Sequence, residues 1–191
     1  MVPSDKDNIL VQAKTILAYF RTANSSDYSC QTNGLTELRQ LAIDSEAARD
    51  ELRRLIYEGD SAIRILAAEA LSRTASFPAD AIPVLIAALD VGREPSMAEI
   101  SEPWLRIALG AIANFEEDLI LAEKSVWPYI YTQNNINLQL YAITAVSKMA
   151  KVSSASWTIL CLLCNHENQI IRDFTRNLMN SDSFNNYLKN T

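Results

Sequence analysis

Four segments of this chain align without gaps, and this internal repeat limits the possible folds more than any other feature. Each segment begins with Asp, Glu or Asn, which are residue types suited to a helix start. A polar marker residue lies four positions later, and apolar or small residues follow at helical spacing, which predicts one buried helical stripe. The segments begin at Asp60, Glu102, Asn135 and Asn168, and their markers are Arg64, Arg106, Gln139 and Arg172.

The markers are 42, 33 and 33 residues apart, which indicates a 33-residue repeat interrupted once by a nine-residue insertion within residues 91–100. A second apolar helical segment precedes each marked one, so each repeat is predicted to be helix A, a short turn and helix B. Neither helix can bury its stripe alone, and neighbouring repeats must therefore stack. The predicted A helices are residues 46–57, 79–89, 119–131 and 154–165.

Turn-forming residues are scarce, because the 191 residues include only 4 Gly and 6 Pro. That scarcity disfavours sheet folds with many tight turns and predicts an all-α chain. We expect residues 46–191 to form one continuous repeat array. Residues 1–45 are predicted to be an atypical N-terminal cap, with a helix near 8–22 and a polar loop at 23–34.

The pattern Asp-x-x-Ile-Arg-x-x-Ala-Ala-x-Ala-Leu in Asp60–Leu71 resembles the short HEAT repeats first noted in phycobilisome lyases. Pro83 and Pro128 in the A helices are also similar to that family, in which proline often bends helix A. The resemblance covers roughly residues 46–181. It implies a right-handed α-α superhelix, or solenoid, of about four HEAT-like helix pairs, with the B helices lining the concave face.

Charge is concentrated in one stretch. Eight of the 23 acids and two of the 17 bases lie between Asp90 and Glu123, so the remaining fifteen acids and fifteen bases cancel. The whole net charge of −6 therefore belongs to the segment that holds the insertion. An acidic excess repels phosphate backbones and favours a partner protein with a basic surface over a nucleic acid.

Catalytic constellations are poorly supported, and we expect no enzyme activity and no cofactor. His166, the single histidine, is predicted to lie in a turn, and the acids at 116–118 are predicted to form a solvated loop. Cys161, Cys164, His166 and Cys30 could together ligate zinc. However, the first two are expected to be buried in an apolar helix and Cys30 to be distant, so we expect no metal site.

Recurring side chains have a structural explanation. The three marker arginines are expected to make the same contact between repeats each time, to a neighbouring acid or a helix end. Trp127 and Trp157 fall on the apolar stripes of A helices and are expected in the core. Trp104 begins a B helix beside the acidic insertion, so both a core position and a partly exposed anchor remain open.

The alignment also predicts three outward rows on the B helices: Ile65, Ile107, Leu140, Asp173; Glu69, Ala111, Thr144, Asn177; Ser72, Asn114, Ser147, Asn180. The three aliphatic residues of the first row either pack against adjacent B helices or form an apolar strip for a protein partner. Together with the acidic segment they define the predicted binding site. Its candidate residues are Glu94, Met97, Glu99, Glu102, Trp104, Ile107, Ala111, Glu116, Glu117, Asp118, Leu140 and Thr144.

We therefore predict a non-catalytic, cytoplasmic protein-interaction module that does not bind nucleic acid or membrane. One specific form is an immunity protein or inhibitor that covers the basic surface of a toxin or enzyme. The resemblance also allows a phycobilisome lyase-like protein that handles bilin. A HEAT-like DNA glycosylase is the third alternative, and the acidic middle of the chain disfavours it.

Overall fold

A computed structural model of the protein describes residues 5–22, 28–91, 102–132 and 135–181. This part of the chain consists of ten α-helices and one 3-10 helix and contains no strand, which confirms the predicted all-α class. None of the described helices is long and apolar enough to cross a membrane. The α-helices are α1 (Asp5–Thr22), α2 (Tyr28–Asp44), α3 (Glu46–Glu58), α4 (Ser61–Ser72), α5 (Pro78–Val91), α6 (Glu102–Ile112), α7 (Glu123–Ile130), α8 (Ile136–Met149), α9 (Ser154–Leu163) and α10 (Gln169–Met179), and the 3-10 helix is Glu116–Ala122.

The predicted helix starts are formed by side-chain caps. The carboxylate of Asp60 accepts hydrogen bonds from two backbone N–H groups at the start of α4, at 3.0 and 3.1 Å. Asn135 caps α8 and Asn168 caps α10 in the same way. Each cap satisfies N–H groups that have no partner inside the helix, so the polar residue fixes where the helix begins.

Three marker residues bind carbonyl oxygens at or just beyond the end of the preceding A helix, which confirms the expected contact with a helix end. The expectation that this contact joins two repeats is wrong for these three. The contact lies within each helix pair, where it satisfies carbonyls that the helix leaves unpaired. The bonds are Arg64 Nε to Ile56 O (2.7 Å), Gln139 Nε2 to Ile130 O (2.9 Å) and Arg172 Nη1 to His166 O (2.9 Å). Arg106 forms an ion pair with Glu102 of its own helix at 3.5 Å.

The described chain divides into two compact units, an N-terminal unit (Met1–Ala88) and a C-terminal unit (Leu89–Thr191). In the N-terminal unit, α1 and α2 both pack against α3 and α4. Helix α2 begins at Tyr28, so the predicted polar loop is wrong for residues 28–34, whereas residues 23–27 lie outside the described part. Arg49 Nη1 binds Ala42 O at 2.9 Å, which repeats the marker contact between α3 and the end of α2.

In the C-terminal unit, α8 packs against its A helix α7, against α9, and against the two B helices α6 and α10. The predicted A helix over 119–131 is a 3-10 turn followed by α7, a common arrangement at helix starts. Pro83 and Pro128 both lie inside A helices, as expected. The phenol of Tyr129 donates to Leu89 O at 2.5 Å and ties α7 to the end of α5 within this unit.

Candidate protein-binding surface

The predicted outward rows are covered in the N-terminal unit. Ile65, Glu69 and Ser72 are buried on α4, and only 2% of Glu69 is exposed. The cap helix α2 lies against α4, and both Arg39 Nε and Arg39 Nη2 donate to Glu69 Oε1, at 2.7 and 2.5 Å. The prediction that these three positions face solvent is therefore wrong, because the packing of the cap on α4 buries them.

In the C-terminal unit, some positions of the predicted outward rows are buried and others are exposed to solvent. Ala111 is 1% exposed and Ser147 is buried, so their predicted outward placement is wrong. The side-by-side packing of α8 on α6 and α10 accounts for this burial. Ile107, Leu140 and Thr144 keep partial exposure. Because its side chain is buried, Ala111 cannot contact a partner, although it is one of the predicted binding residues.

Tyr141 is accessible, although the repeat alignment places it at the position of Leu66, on the predicted buried stripe of the B helices. Its side chain is 43% exposed, and its ring lies over Gly110 of α6, where an added Cβ would be 3.7 Å from two ring carbons. The ring therefore packs beside the backbone of α6 and leaves room for a methyl group at this position. A glycine in helix B, facing a tyrosine in the next repeat, is the signal that could have identified this position.

Partly exposed residues of α6 and α8 thus form one continuous stripe on each helix, at i, i+3 and i+4 spacing. The stripe on α8 includes Leu140, Tyr141 and Thr144, and the stripe on α6 includes Ile107 and Gly110. Trp104, one turn earlier on α6, is also partly exposed, which supports the anchor alternative for this residue. We call these two stripes the α6–α8 surface, consisting of Trp104, Ile107, Gly110, Leu140, Tyr141 and Thr144.

The acidic segment is only partly available to a partner. Glu94, Met97 and Glu99 lie outside the described residues. Glu102 pairs with Arg106 in the first turn of α6. Glu123 accepts hydrogen bonds from the hydroxyls of Ser153 and Ser156, at 2.5 and 2.6 Å, and so connects α7 with α9.

The acids at 116–118 begin the 3-10 helix, so the predicted loop is wrong there. The backbone of Asp118 donates to Phe115 O at 3.1 Å, and the Asp118 side chain is exposed. The backbone of Glu116 and Glu117 is part of this helix. The site residues predicted in this part of the chain therefore begin a helical turn directly after α6.

A polar cluster joins α3 and α5 in the N-terminal unit. Tyr57 Oη donates to Asp80 Oδ1, Arg53 Nε donates to Asp80 Oδ2 at 2.6 Å, and the Arg53 guanidinium lies 4.7 Å from the centre of the Phe77 ring. The hydrogen bond from Tyr57 and then the one from Arg53 hold the pKa of Asp80 below its ordinary value. The same bond to Asp80 raises the pKa of Tyr57. Both shifts stabilise the ion pair and its hydrogen bond at neutral pH.

Two expectations about buried side chains need correction. Cys161 is exposed on α9, although both cysteines of this helix were expected in an apolar interior. Trp127 and Trp157 are partly exposed rather than fully enclosed in the core. Helix α9 contacts α8 and α10 in the described chain, which leaves one side of α9 accessible.

The geometry of the α6–α8 surface contains no nucleophile paired with a base, and its six residues carry no charge. No protein-family model matches the chain, and no curated protein matches its sequence. The chemistry of the surface is that of apolar and aromatic contact.

Proposed function

We propose that this protein is a non-catalytic protein-binding module built as a short right-handed solenoid of HEAT-like helix pairs. The repeat alignment supports this proposal, since the caps and marker bonds recur at the same repeat positions. The packing of α8 between α6 and α10 is also the arrangement that stacked B helices require.

The observation that carries the proposal is the α6–α8 surface. Tyr141 presents a large, rigid aromatic side chain beside Leu140, and Trp104 and Ile107 offer further apolar area on the next helix. Tyrosine and tryptophan are the residue types that most often dominate the free energy of protein association. An apolar centre with the polar residues Thr144 and Asn137 beside it matches the usual arrangement of such interfaces.

The charge of the chain favours a basic partner. The acids concentrated between Asp90 and Glu123 lie in the segment that leads into and follows α6, and Asp118 is exposed there. Complementary charge of this kind speeds association and excludes acidic competitors. An immunity protein or inhibitor that covers the basic surface of a toxin or enzyme is the specific form of this proposal.

The experiment is an affinity capture from native lysate with the tagged full chain, quantified by mass spectrometry. The test variant is Leu140→Ser/Tyr141→Ala, which removes two accessible apolar side chains from α8. The control is Leu121→Ser, because Leu121 is 65% exposed in the same unit and does not belong to the α6–α8 surface. We expect a partner that is retained by the wild type and the control and lost from the test variant.

A second comparison tests the charge of the insertion with Glu94→Lys/Glu99→Lys. Glu102 is left unchanged because its ion pair with Arg106 would confuse a loss of stability with a loss of binding. Weaker capture of a basic partner is the expected result. If every captured protein is retained equally by the Leu140→Ser/Tyr141→Ala variant, the α6–α8 surface is not the binding site.

A further inference from the structure

Two sulfur atoms are in contact where α9 and α10 end, and a further cysteine lies about one helical turn earlier on α9. Cys164 directly follows α9, and its Sγ lies 3.2 Å from Sδ of Met179, the last residue of α10. Cys161 lies in α9, three residues before Cys164, and Cys164 keeps a helical backbone (φ −62°, ψ −16°). This spacing places the two Cβ atoms about 5–6 Å apart on one face. The exposed Cys161 leaves this sulfur cluster open to solvent.

Burial and two neighbouring groups act on the pKa of the Cys164 thiol. Burial raises the pKa of the Cys164 thiol, and negative charge at Cys161 raises it further. The nearby guanidinium of Arg176 acts in the opposite direction.

We propose that Cys161, Cys164 and Met179 form a binding site for a soft monovalent metal ion, Cu(I). Two thiolates and one thioether make a donor set of the kind that Cu(I) prefers over harder ions. Each thiol releases its proton to solvent when it becomes a ligand, and the metal keeps its oxidation state. The two thiolates and the ion leave one negative charge, which Arg176 partly offsets.

Zinc fits this site less well. Structural zinc takes four ligands from cysteine, histidine and carboxylates. No group of three such residues that could hold a metal exists among the described residues. His166 lies in the turn between the two helices, but its Nδ1 accepts a hydrogen bond from the backbone of Asn168 at 3.0 Å. The thioether of Met179 is therefore the third donor already in contact with Cys164.

The geometry requires only a local adjustment. Metal–thiolate bonds of about 2.3 Å in a trigonal arrangement separate the sulfur atoms by about 4 Å. The present contact of 3.2 Å between Cys164 and Met179 would therefore open by less than about 1 Å. Methionine has three flexible side-chain torsions, and Met179 is partly exposed at a helix end, so it can make this movement.

The test is an anaerobic titration of the full chain with Cu(I) in competition with a chromophoric Cu(I) chelator. A Cys30→Ser background removes the remaining thiol of the sequence. We expect one Cu(I) per chain in this background. Cys161→Ser should lower the affinity about 100-fold, because the second thiolate otherwise binds intramolecularly at high effective concentration. Met179→Leu should lower it about tenfold, because a thioether is a weaker donor than a thiolate.

His166→Ala is the matched control, and circular dichroism checks that every variant keeps its helices. The affinity of the His166→Ala protein should stay within about twofold of the Cys30→Ser background, since no sulfur donor is removed. Loss of binding in Cys30→Ser or His166→Ala, an unchanged affinity in Met179→Leu, or no binding in competition with the chelator would each overturn the proposed ligand set. None of the three ligands belongs to the α6–α8 surface, so this result and the capture experiment stand separately.

Discussion

The two compact units place the same repeat position in opposite environments. In the N-terminal unit this position is Glu69, which is 2% exposed and bonded to Arg39 of the cap. In the C-terminal unit it is Thr144, which is partly exposed beside Leu140 and Tyr141. The alignment treats the two residues as equivalent, but their surroundings differ because α2 packs on α4. A position in a repeat therefore becomes a binding position only where no neighbouring element covers it.

Buried charge follows the same division. Among the described residues, the buried charged side chains are Glu51 and Glu69, both in the N-terminal unit and both paired with arginine. The buried polar residues of the C-terminal unit are uncharged, and Gln139 is an example. The N-terminal unit thus buries specific ion pairs, whereas the α6–α8 surface of the C-terminal unit consists of uncharged side chains.

The largest expected effect comes from Arg39→Met, which leaves the Glu69 carboxylate buried without its main partner. Arg73 keeps a longer contact of 3.4 Å to the same oxygen, so we expect a loss of about 2–3 kcal/mol in the free energy of unfolding. Thr144→Ala, at the equivalent repeat position of the C-terminal unit, should cost less than about 0.5 kcal/mol. Urea denaturation followed by circular dichroism measures both, and equal losses would refute the contrast between the two environments.

The next comparison is between Gly59 in the N-terminal unit and Gly110 in the C-terminal unit. Alanine fits at Gly110 but not at Gly59. A Cβ at Gly59 would lie 2.7 Å from Ile63 Cγ2 and from Leu55 O, so Gly59→Ala should destabilise the protein by about 1–2 kcal/mol. A Cβ at Gly110 would make only ordinary contact with Tyr141, and Gly110→Ala should add about 0.5–1 kcal/mol through helix propensity. Thermal unfolding of the two variants should shift in opposite directions.

Removing the marker contact should lower the free energy of unfolding by a smaller amount. The loss should be greater where the marker side chain is buried. Gln139 is buried and donates to Ile130 O, so Gln139→Ala leaves that carbonyl without its side-chain partner and should cost about 1–2 kcal/mol. Arg64 makes the matching bond from an exposed side chain, so Arg64→Ala should cost about 0.5–1 kcal/mol. Denaturant midpoints measure the order, and a larger loss for Arg64 would contradict this explanation.

The smallest effect is the pH dependence of the Asp80 cluster. Since the folded pKa of Asp80 is lowered, its contribution to stability is present at neutral pH and is lost as the pH falls through that lowered value. The difference in unfolding free energy between the wild type and Asp80→Asn should therefore shrink as the pH falls below about 4, the ordinary pKa of an aspartate. Tyr57→Phe removes the largest cause of the shift and should reduce this pH dependence. If the difference in unfolding free energy between the wild type and Asp80→Asn does not change with pH, the Asp80 cluster does not contribute to the pH dependence of stability.

Local features of the fold could be predicted from the sequence, because local residues determine them. Asp60, Asn135 and Asn168 mark helix starts through bonds that span only a few residues, and these positions are confirmed. The buried stripe of α4 follows from helical spacing alone, and Leu66 and Leu71 are fully buried as the pattern predicts.

Coverage of the B helices could not be predicted, because it depends on packing between distant segments. Arg39 and Glu69 are 30 residues apart, and no local pattern shows that one covers the other. Packing between distant segments also explains why Ala111 is buried although it was predicted to be exposed, and why Tyr141 is exposed although it was predicted to be buried. For the candidate site, Ile107, Leu140, Thr144 and Trp104 are accessible as proposed, while the role of these residues in binding stays a prediction.

The uncovered α6–α8 surface is the part of the molecule that we propose binds a partner protein. The most direct measurement is the dissociation constant of the purified partner for the wild type, Leu140→Ser/Tyr141→Ala and Leu121→Ser. We predict that the double variant binds at least about 30-fold more weakly, equivalent to about 2 kcal/mol, because it loses a central aromatic anchor. Leu121→Ser should bind like the wild type. Equal dissociation constants for all three proteins, with the helices of each intact, would contradict the claim.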